Sequence, residues 1–179
     1  CIMEGRGFVS STHKYMPELL APLALNKLQG PSVKRLVVAI SGGVDSTALL
    51  HAVSKAIIHD QVVGLHIHHG LVRNADLLAK AAQDICDACH VPLVTIPVKV
   101  DPGGSVEEAA RKARYTAFSE FLAPGDLLFL AHHADDQIET ALFGMFRGSR
   151  LPGLNGMPLE RRLGRAKLYR PLLGLTRQK

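Results

Sequence analysis

The sequence predicts an α/β fold, a doubly wound, mostly parallel sheet with helices on both faces. Three observations predict it. Short runs rich in apolar residues (Leu36 to Ile40, Gln61 to Ile67 and Asp126 to Ala131) are long enough for buried strands and too short for helices. Between them lie stretches whose apolar residues recur at helical spacing, so strand and helix alternate, as parallel sheets with right-handed crossovers require. Each run also ends in a polar or glycine-rich turn: Ser41 to Ser46, His66 to Gly70 and His132 to Asp136. In such a sheet ligands bind off the carboxyl ends of the strands, so three separate polar clusters are expected to converge on one crevice.

In chain order, residues 1–15 carry no periodicity, and Met16-Pro17-Glu18-Leu19-Leu20 resembles a natural start, so the first fifteen read as a leader or expression-derived segment. Leu19 to Leu28 reads as a short helix. After the first strand, Ala48, Leu49, Ala52, Val53, Ala56 and Ile57 mark a helix that opens at the glycine turn. A helix from about Asn74 to Cys89 buries Leu77, Leu78, Ala81, Ala82, Ile85 and Ala88. Val91 to Val100 alternates and is rich in β-branched residues, so it reads as a strand, and Pro92 and Pro97 point to an edge or to irregular ends. Ser105-Val106-Glu107-Glu108 is a capping box that opens a helix to about Leu122. The helix after His132-His133 runs through Phe146, and Arg161, Arg162, Arg165 and Lys167 flank a hairpin that ends at Arg170-Pro171.

Composition narrows the classes. Apolar residues make up 47% of the 179, which excludes a disordered chain, and no apolar run approaches the ~20 residues of a membrane span. Three cysteines are too few for a disulfide framework, which points to a reducing compartment, the cytoplasm. The net charge of +5 is uneven: Arg147 to Lys179 holds nine Lys and Arg against Glu160, a balance of +8 that leaves −3 for residues 1–146. A basic tail on a slightly acidic body suits a polyanionic partner; on charge alone a solvated surface fits as well.

The Ser41-Gly42-Gly43-Val44-Asp45-Ser46 turn is neither a Walker A loop, since no lysine follows the glycines, nor a GxGxxG fingerprint. Its glycines let phosphate oxygens approach the backbone at a helix N-terminus, and Ser41 and Ser46 can add hydroxyls. A carboxylate beside phosphates, Asp45, makes sense with a divalent cation between them. The bland alternative is a turn with Asp45 or Ser46 as a helix cap. Asp136 and Glu139 share one helix face and suit a cation or an ammonium substrate, while Asp135 reads as a first-turn acid or cap. Arg111 and Arg114, three apart, either stabilise developing negative charge or form a solvated face. The five histidines at strand ends match no structural zinc spacing, and one of His66 and His68 is expected simply to be packed. Cys86 and Cys89 end a helix rather than open one, so they read as buried thiols, not a redox pair.

The glycine turn is similar to the SGGxDS motif of the PP-loop ATP pyrophosphatases. Together with HIHHGL, SVEEAARKARY, LAHHADDQIET, RGS…GLNGM and YRPLL, in that order, it makes the chain resemble the tRNA(Ile)-lysidine synthetase family from about Arg35 to Arg177. The resemblance implies an adenine nucleotide α-hydrolase-like fold over residues 16–179. It implies a ligase that uses ATP and Mg2+ to adenylate C2 of the first anticodon cytidine of the isoleucine tRNA with a CAU anticodon, after which the amine of free L-lysine displaces AMP. By position, Ser41, Gly42, Gly43, Asp45 and Ser46 would bind ATP and pyrophosphate, with Asp45 toward Mg2+ and His133 near the nucleotide. Asp136 and Glu139 would receive lysine or assist its amine. Arg111 and Arg114 would steady the adenylated intermediate or the phosphates, and the Arg147 to Met157 loop would approach the tRNA. Arg150 departs from the family's RGSG, and the chain ends before the family's further domains, which reads as a truncation. The oligomeric state stays open, a homodimer included. Competing readings are a thiolating PP-loop enzyme, an amidating GMP or NAD synthetase, and a non-catalytic ATP-binding module.

Overall fold

The computed structural model describes residues 33–57, 61–70, 74–100, 105–146 and 156–176. The expected leader, the Leu19 to Leu28 helix and most of the Arg147 to Met157 loop lie outside the described residues. In order come β1 (Arg35–Ala39), α1 (Val44–Ala56), β2 (Val62–His68), α2 (Ala75–Ala88), β3 (Leu93–Pro97), α3 (Val106–Phe121), β4 (Asp126–Phe129), α4 (Ala134–Phe146), β5 (Glu160–Leu163) and β6 (Ala166–Tyr169). They build one six-stranded sheet in the order β3-β2-β1-β4-β6-β5. All neighbours are parallel except β5 and β6, which form a hairpin with Leu163 opposite Ala166.

Beyond their charged first residues, the central strands β1 and β4 are apolar because both of their faces are covered. Leu36, Val38 and Ile40 join Leu49, Leu50 and Val53 of α1 and Ala82 and Cys86 of α2 in one cluster. Val37 points the other way, into a cluster with Ala117, Phe118 and Leu122 of α3. On β4, Leu127 and Phe129 enter the first cluster and Leu128 the second, joined by Leu130 just past the strand. An uninterrupted apolar run is what a parallel strand sandwiched by helices requires. No helix among the described residues is long and apolar enough to cross a membrane.

β3 is the edge strand that its prolines foretell, but it is shorter than the Val91 to Val100 expectation. Val91 is taken up in closing α2, its N–H donating to Cys86 O, while only Leu93 to Pro97 pair with β2. Ser105 caps α3 as the capping box predicts, accepting from the Glu108 N–H at 3.5 Å.

At the amino ends of β1 and β4, Arg35 and Asp126 are register partners. Arg35 Nε and Nη2 donate to Asp126 Oδ1 and Oδ2 at 3.2 and 2.5 Å, and Oδ2 also accepts from the Ala123 N–H at 2.8 Å. The Asp126 side chain is 4% exposed. Asp126→Ala leaves that guanidinium and amide without an acceptor, so it is expected to destabilise the fold by about 3 kcal/mol, measured by denaturant unfolding.

Candidate active site

β1, β2 and β4 lie side by side, so the turns that follow them share one end of the sheet. There they surround a crevice of about 360 Å³ whose walls include Ser41, Asp45, Ser46, His66, His69, Arg114, His132 and Asp136. That volume suits a small-molecule ligand.

The glycine turn is built from within. Gly43 is the N-cap of α1 and makes no side-chain cap bond, so neither Asp45 nor Ser46 serves as the helix cap. Ser46 is 4% exposed, and its Oγ accepts from the Ser41 N–H at 3.2 Å and donates to Gly43 O at 3.0 Å. Both hydroxyls brace the loop, since Ser41 Oγ meets Ser46 Oγ at 3.1 Å and accepts the Gly43 N–H at 3.2 Å, but Ser46 is buried while Ser41 is exposed. Gly42 has φ +83, and a Cβ there would sit 2.7 Å from the Leu78 carbonyl of α2. The turn is thus a backbone cradle at a helix N-terminus with no room for a side chain at Gly42.

Asp45, half-buried, sits beside this cradle; its Oδ2 lies 3.8 Å from His133 Nε2. The same nitrogen is 3.6 Å from Asp136 Oδ2, and His133 Nδ1 is 3.5 Å from Asp135 Oδ2. His133 thus joins the cradle to the head of α4 through three carboxylates. The acid that closes the N-terminus of α4 is Asp136 rather than Asp135. Asp136 Oδ2 accepts the His133 N–H at 2.8 Å, the reach-back arm of a capping box.

The histidines divide as expected. His66 is 4% exposed and packed, its Nδ1–H donating to Ile40 O at 2.8 Å. His68 Nε2 meets Asp76 Oδ1 at 3.0 Å. Burial first, then the nearby Arg114 charge, lowers the pKa of His69. Among the described residues no group of three or more His, Cys, Asp or Glu gathers closely enough to hold a metal. Mg2+, held by one or two carboxylates together with phosphate oxygens, fits Asp45 beside the cradle.

Arg114 lines the crevice and Arg111 does not; both lie against the Tyr115 ring, at 5.9 and 5.2 Å. Arg161, from the β5–β6 hairpin, covers the same ring at 4.6 Å. Burial presses the Arg114 guanidinium below its ordinary range, and among the described residues no carboxylate pairs with it. Glu139 is exposed on α4, outside the crevice walls.

Two residues escaped the sequence reading. Gln137 clamps the Met157 backbone, its Nε2 donating to Met157 O at 2.9 Å and its Oε1 accepting the Met157 N–H at 2.5 Å. Arg170, 1% exposed, donates to His132, Pro158 and Tyr115. Both stand inside the quoted motifs HHADDQIET and YRPLL, where the more conspicuous neighbours drew the functional assignment.

A glycine cradle at the first β–α turn, opposed by carboxylates from the fourth strand's turn, defines a nucleotide-binding α/β domain. Residues 16–179 match the PP-loop domain family, and the chain belongs to it, a family of ATP-using domains. The chain is 51% identical over 144 residues to the tRNA(Ile)-lysidine synthase of Pseudomonas putida, covering 79% of this chain and 34% of that protein. It is 42% identical over 157 residues to that of Haemophilus influenzae, covering 84% and 36%. The chain therefore spans about a third of the length of the curated relatives it matches. Among solved structures, the U34-tRNA thiolase NcsA of Methanococcus maripaludis, with its [4Fe-4S] cluster, superposes with a TM-score of 0.69 at 13% identity, over 92% of this chain and 60% of that one. The NH3-dependent NAD synthetase of Campylobacter jejuni gives 0.54 at 14%, over 92% and 66%. At such identities these two speak for the fold alone.

Cys86 and Cys89 sit at the end of α2, 0% and 8% exposed, inside the apolar cluster and not among the crevice walls. Burial, then Cys89 and Asp87, pushes the Cys86 thiol up to about 11. Iodoacetamide at pH 8 is expected to leave Cys86 unmodified in the folded protein and to label it once guanidinium unfolds the chain, read by peptide mass mapping.

Proposed function

We propose that this chain is the ATP-binding catalytic domain of a cytoplasmic ligase that joins free L-lysine to C2 of the first anticodon cytidine of the CAU-anticodon isoleucine tRNA. The observation that carries the reading is the convergence, in one crevice, of Ser41, Asp45 and Ser46 from the glycine turn, of Arg114, which has no carboxylate partner among the described residues, and of Asp136. The similarity to lysidine synthases supports the choice of substrates.

The chemistry runs in two displacements. The cytosine O2 attacks the α-phosphorus of ATP, the bond to the bridging oxygen breaks, and pyrophosphate leaves. The lysine amine then adds at C2, the C2–O bond breaks, and AMP leaves as the amine loses a proton. Gly42, Gly43 and Ser41 hold the departing pyrophosphate against the α1 N-terminus. Asp45 would hold Mg2+, which would supply charge neutralisation to the phosphates. Arg114, half-buried and positive, stabilises charge on the transferring phosphoryl group. Asp136 Oδ1, which has no hydrogen-bond partner among the described residues, accepts the amine proton. Glu139, exposed on the same helix face, draws in the lysine ammonium. His133 holds the Asp45 and Asp136 carboxylates in register. Bringing three reactants together is itself much of the catalysis.

Arg161 and Arg111 meet over Tyr115 on the α3 face, and the exposed Arg162, next along β5, adds charge on the opposite face of the same hairpin, so that hairpin offers the RNA backbone a basic edge. Replacing Arg161 and Arg162 together by alanine is expected to weaken tRNA binding across all sequences and to lower the slope of log K against log salt by about 1 to 2. An unchanged slope returns that face to plain solvated surface.

The deciding experiment offers the protein ATP and a CAU-anticodon transcript, with and without lysine, and digests the RNA for mass analysis. Lysine-dependent mass gain on the anticodon cytidine is the expected result. Pyrophosphate without lysine on the RNA would keep the ATP chemistry and discard the lysidine assignment. No pyrophosphate at all would favour a binding module.

A further inference from the structure

His132 has no role in the scheme above, yet its surroundings fix its chemistry. Arg170 Nε donates to His132 Nδ1 at 3.2 Å. A guanidinium cannot accept, so Nδ1 must be the unprotonated nitrogen and the ring's single proton must sit on Nε2. The opposite arrangement holds at His66, whose Nδ1 faces the Ile40 carbonyl and must carry a proton. His132 Nε2 has no partner among the described residues, and the residue lines the crevice. Arg170 is 1% exposed and is locked by two further bonds, Nη1 to Pro158 O at 2.6 Å and Nη2 to the Tyr115 hydroxyl at 3.4 Å. None of its three acceptors is a carboxylate, so the guanidinium is spent on orientation.

β1 and β4 are hydrogen-bonded neighbours, so the turn carrying His132 lies beside the phosphate cradle. The groups of formal charge that act on the ring are Arg170, Asp136, Arg114 and Arg111. Phosphate oxygens only accept hydrogen bonds, and a fixed N–H at that place is their complement.

We propose that His132 donates its Nε2–H to a phosphate oxygen of the bound nucleotide, and that Arg170, without touching the ligand, is the positioning residue that holds the donating tautomer. A neutral donor here binds the phosphate without adding a cation that would repel the lysine ammonium. Burial, then Arg170, keeps the ring uncharged by pushing the imidazolium down to about 4. This rests on the nucleotide reading of the crevice, and the test separates the two.

Nitrogen-15 spectra of the imidazoles, with and without MgATP, read the tautomer directly. His132 is expected to show one neutral Nε2–H form from pH 5 to 8, with that proton moving downfield on MgATP addition. His132→Leu is expected to weaken MgATP binding, by calorimetry, or to slow pyrophosphate release about tenfold or more, and His132→Gln, whose amide reaches the Nε2 position, to recover to within a few-fold. Arg170→Lys should mix the tautomers of His132 and reproduce the His132→Leu loss. An Nδ1–H form in the parent protein, a ring that titrates between pH 5 and 8, or a His132→Leu variant equal to the parent in both assays would overturn the inference. If the RNA gains no lysine but MgATP still shifts the His132 proton, the lysidine reading falls and this one stands. If MgATP does not bind, both fall.

Discussion

Asp136→Asn is expected to lower lysidine formation by roughly 100-fold to 10,000-fold, the range that loss of a general base produces, while the protein keeps its fold and its nucleotide. The substitution is chosen for what it preserves. Asp136 Oδ2 accepts the His133 N–H at 2.8 Å and so closes the start of α4. The asparagine carbonyl oxygen can accept the same bond, and the cost to the helix is limited to the charge–dipole part, about 0.3 to 1 kcal/mol. What the amide cannot do is take a proton from the lysine amine. The two displacements therefore separate. Pyrophosphate release, for which Arg114 and the cradle are proposed, should continue for one turnover, and the RNA should accumulate an adenylated cytidine that lysine does not resolve. A variant that forms lysidine at the parent rate would remove Asp136 from the second displacement. Asp136→Ala makes a poorer test because it also deletes the cap.

The elements were legible because the central strands are covered on both faces. Leu36 to Ile40 and Asp126 to Ala131 read as unbroken apolar runs, and a run of that length has few other homes in an α/β chain. Their ends were less legible: pairing stops where the neighbour stops, and β3 is shortened because Val91 closes α2 instead. The location of the site followed from topology, since every polar cluster trails a parallel strand. The division of labour inside it did not follow. Sequence treated Ser41 and Ser46 alike, and both hydroxyls join one hydrogen-bond network in the loop, but only Ser41 is exposed. It treated Arg111 and Arg114 alike, yet the helix rotation that buries Phe118 carries only Arg114 to the crevice. Asp136 and Glu139 divide in the same way. Arg170 was hidden for another reason. An arginine in a basic tail is indistinguishable by composition from its solvated neighbours, and only the fold shows it 1% exposed behind His132.

Gly42→Ala is expected to cost about 2 to 4 kcal/mol of stability, a fall in melting temperature of roughly 5 to 15 °C for a chain of this size, and to abolish measurable ATP binding. Two costs combine. At φ +83 an L-residue is strained, and its Cβ would stand 2.7 Å from the Leu78 carbonyl and 3.2 Å from its Cα. Those are backbone atoms of α2, so no rotamer change can relieve the contact; α1 and α2 must part, and the cradle opens with them. Two other glycines isolate the two costs. Gly70 has φ +65 but nothing within 4 Å of an added Cβ, so Gly70→Ala should show only the conformational part, about 1 to 2 kcal/mol. Gly43 has the ordinary φ of −93, and its added Cβ would meet only Ser41 Oγ at 3.3 Å. Gly43→Ala should therefore shift the melting temperature by no more than about 2 °C while still weakening ATP binding, because the methyl group occupies space that phosphate oxygens need. If Gly43→Ala binds ATP like the parent, the phosphates do not lie against this turn, and the cradle is only a means of bringing α1 close to α2.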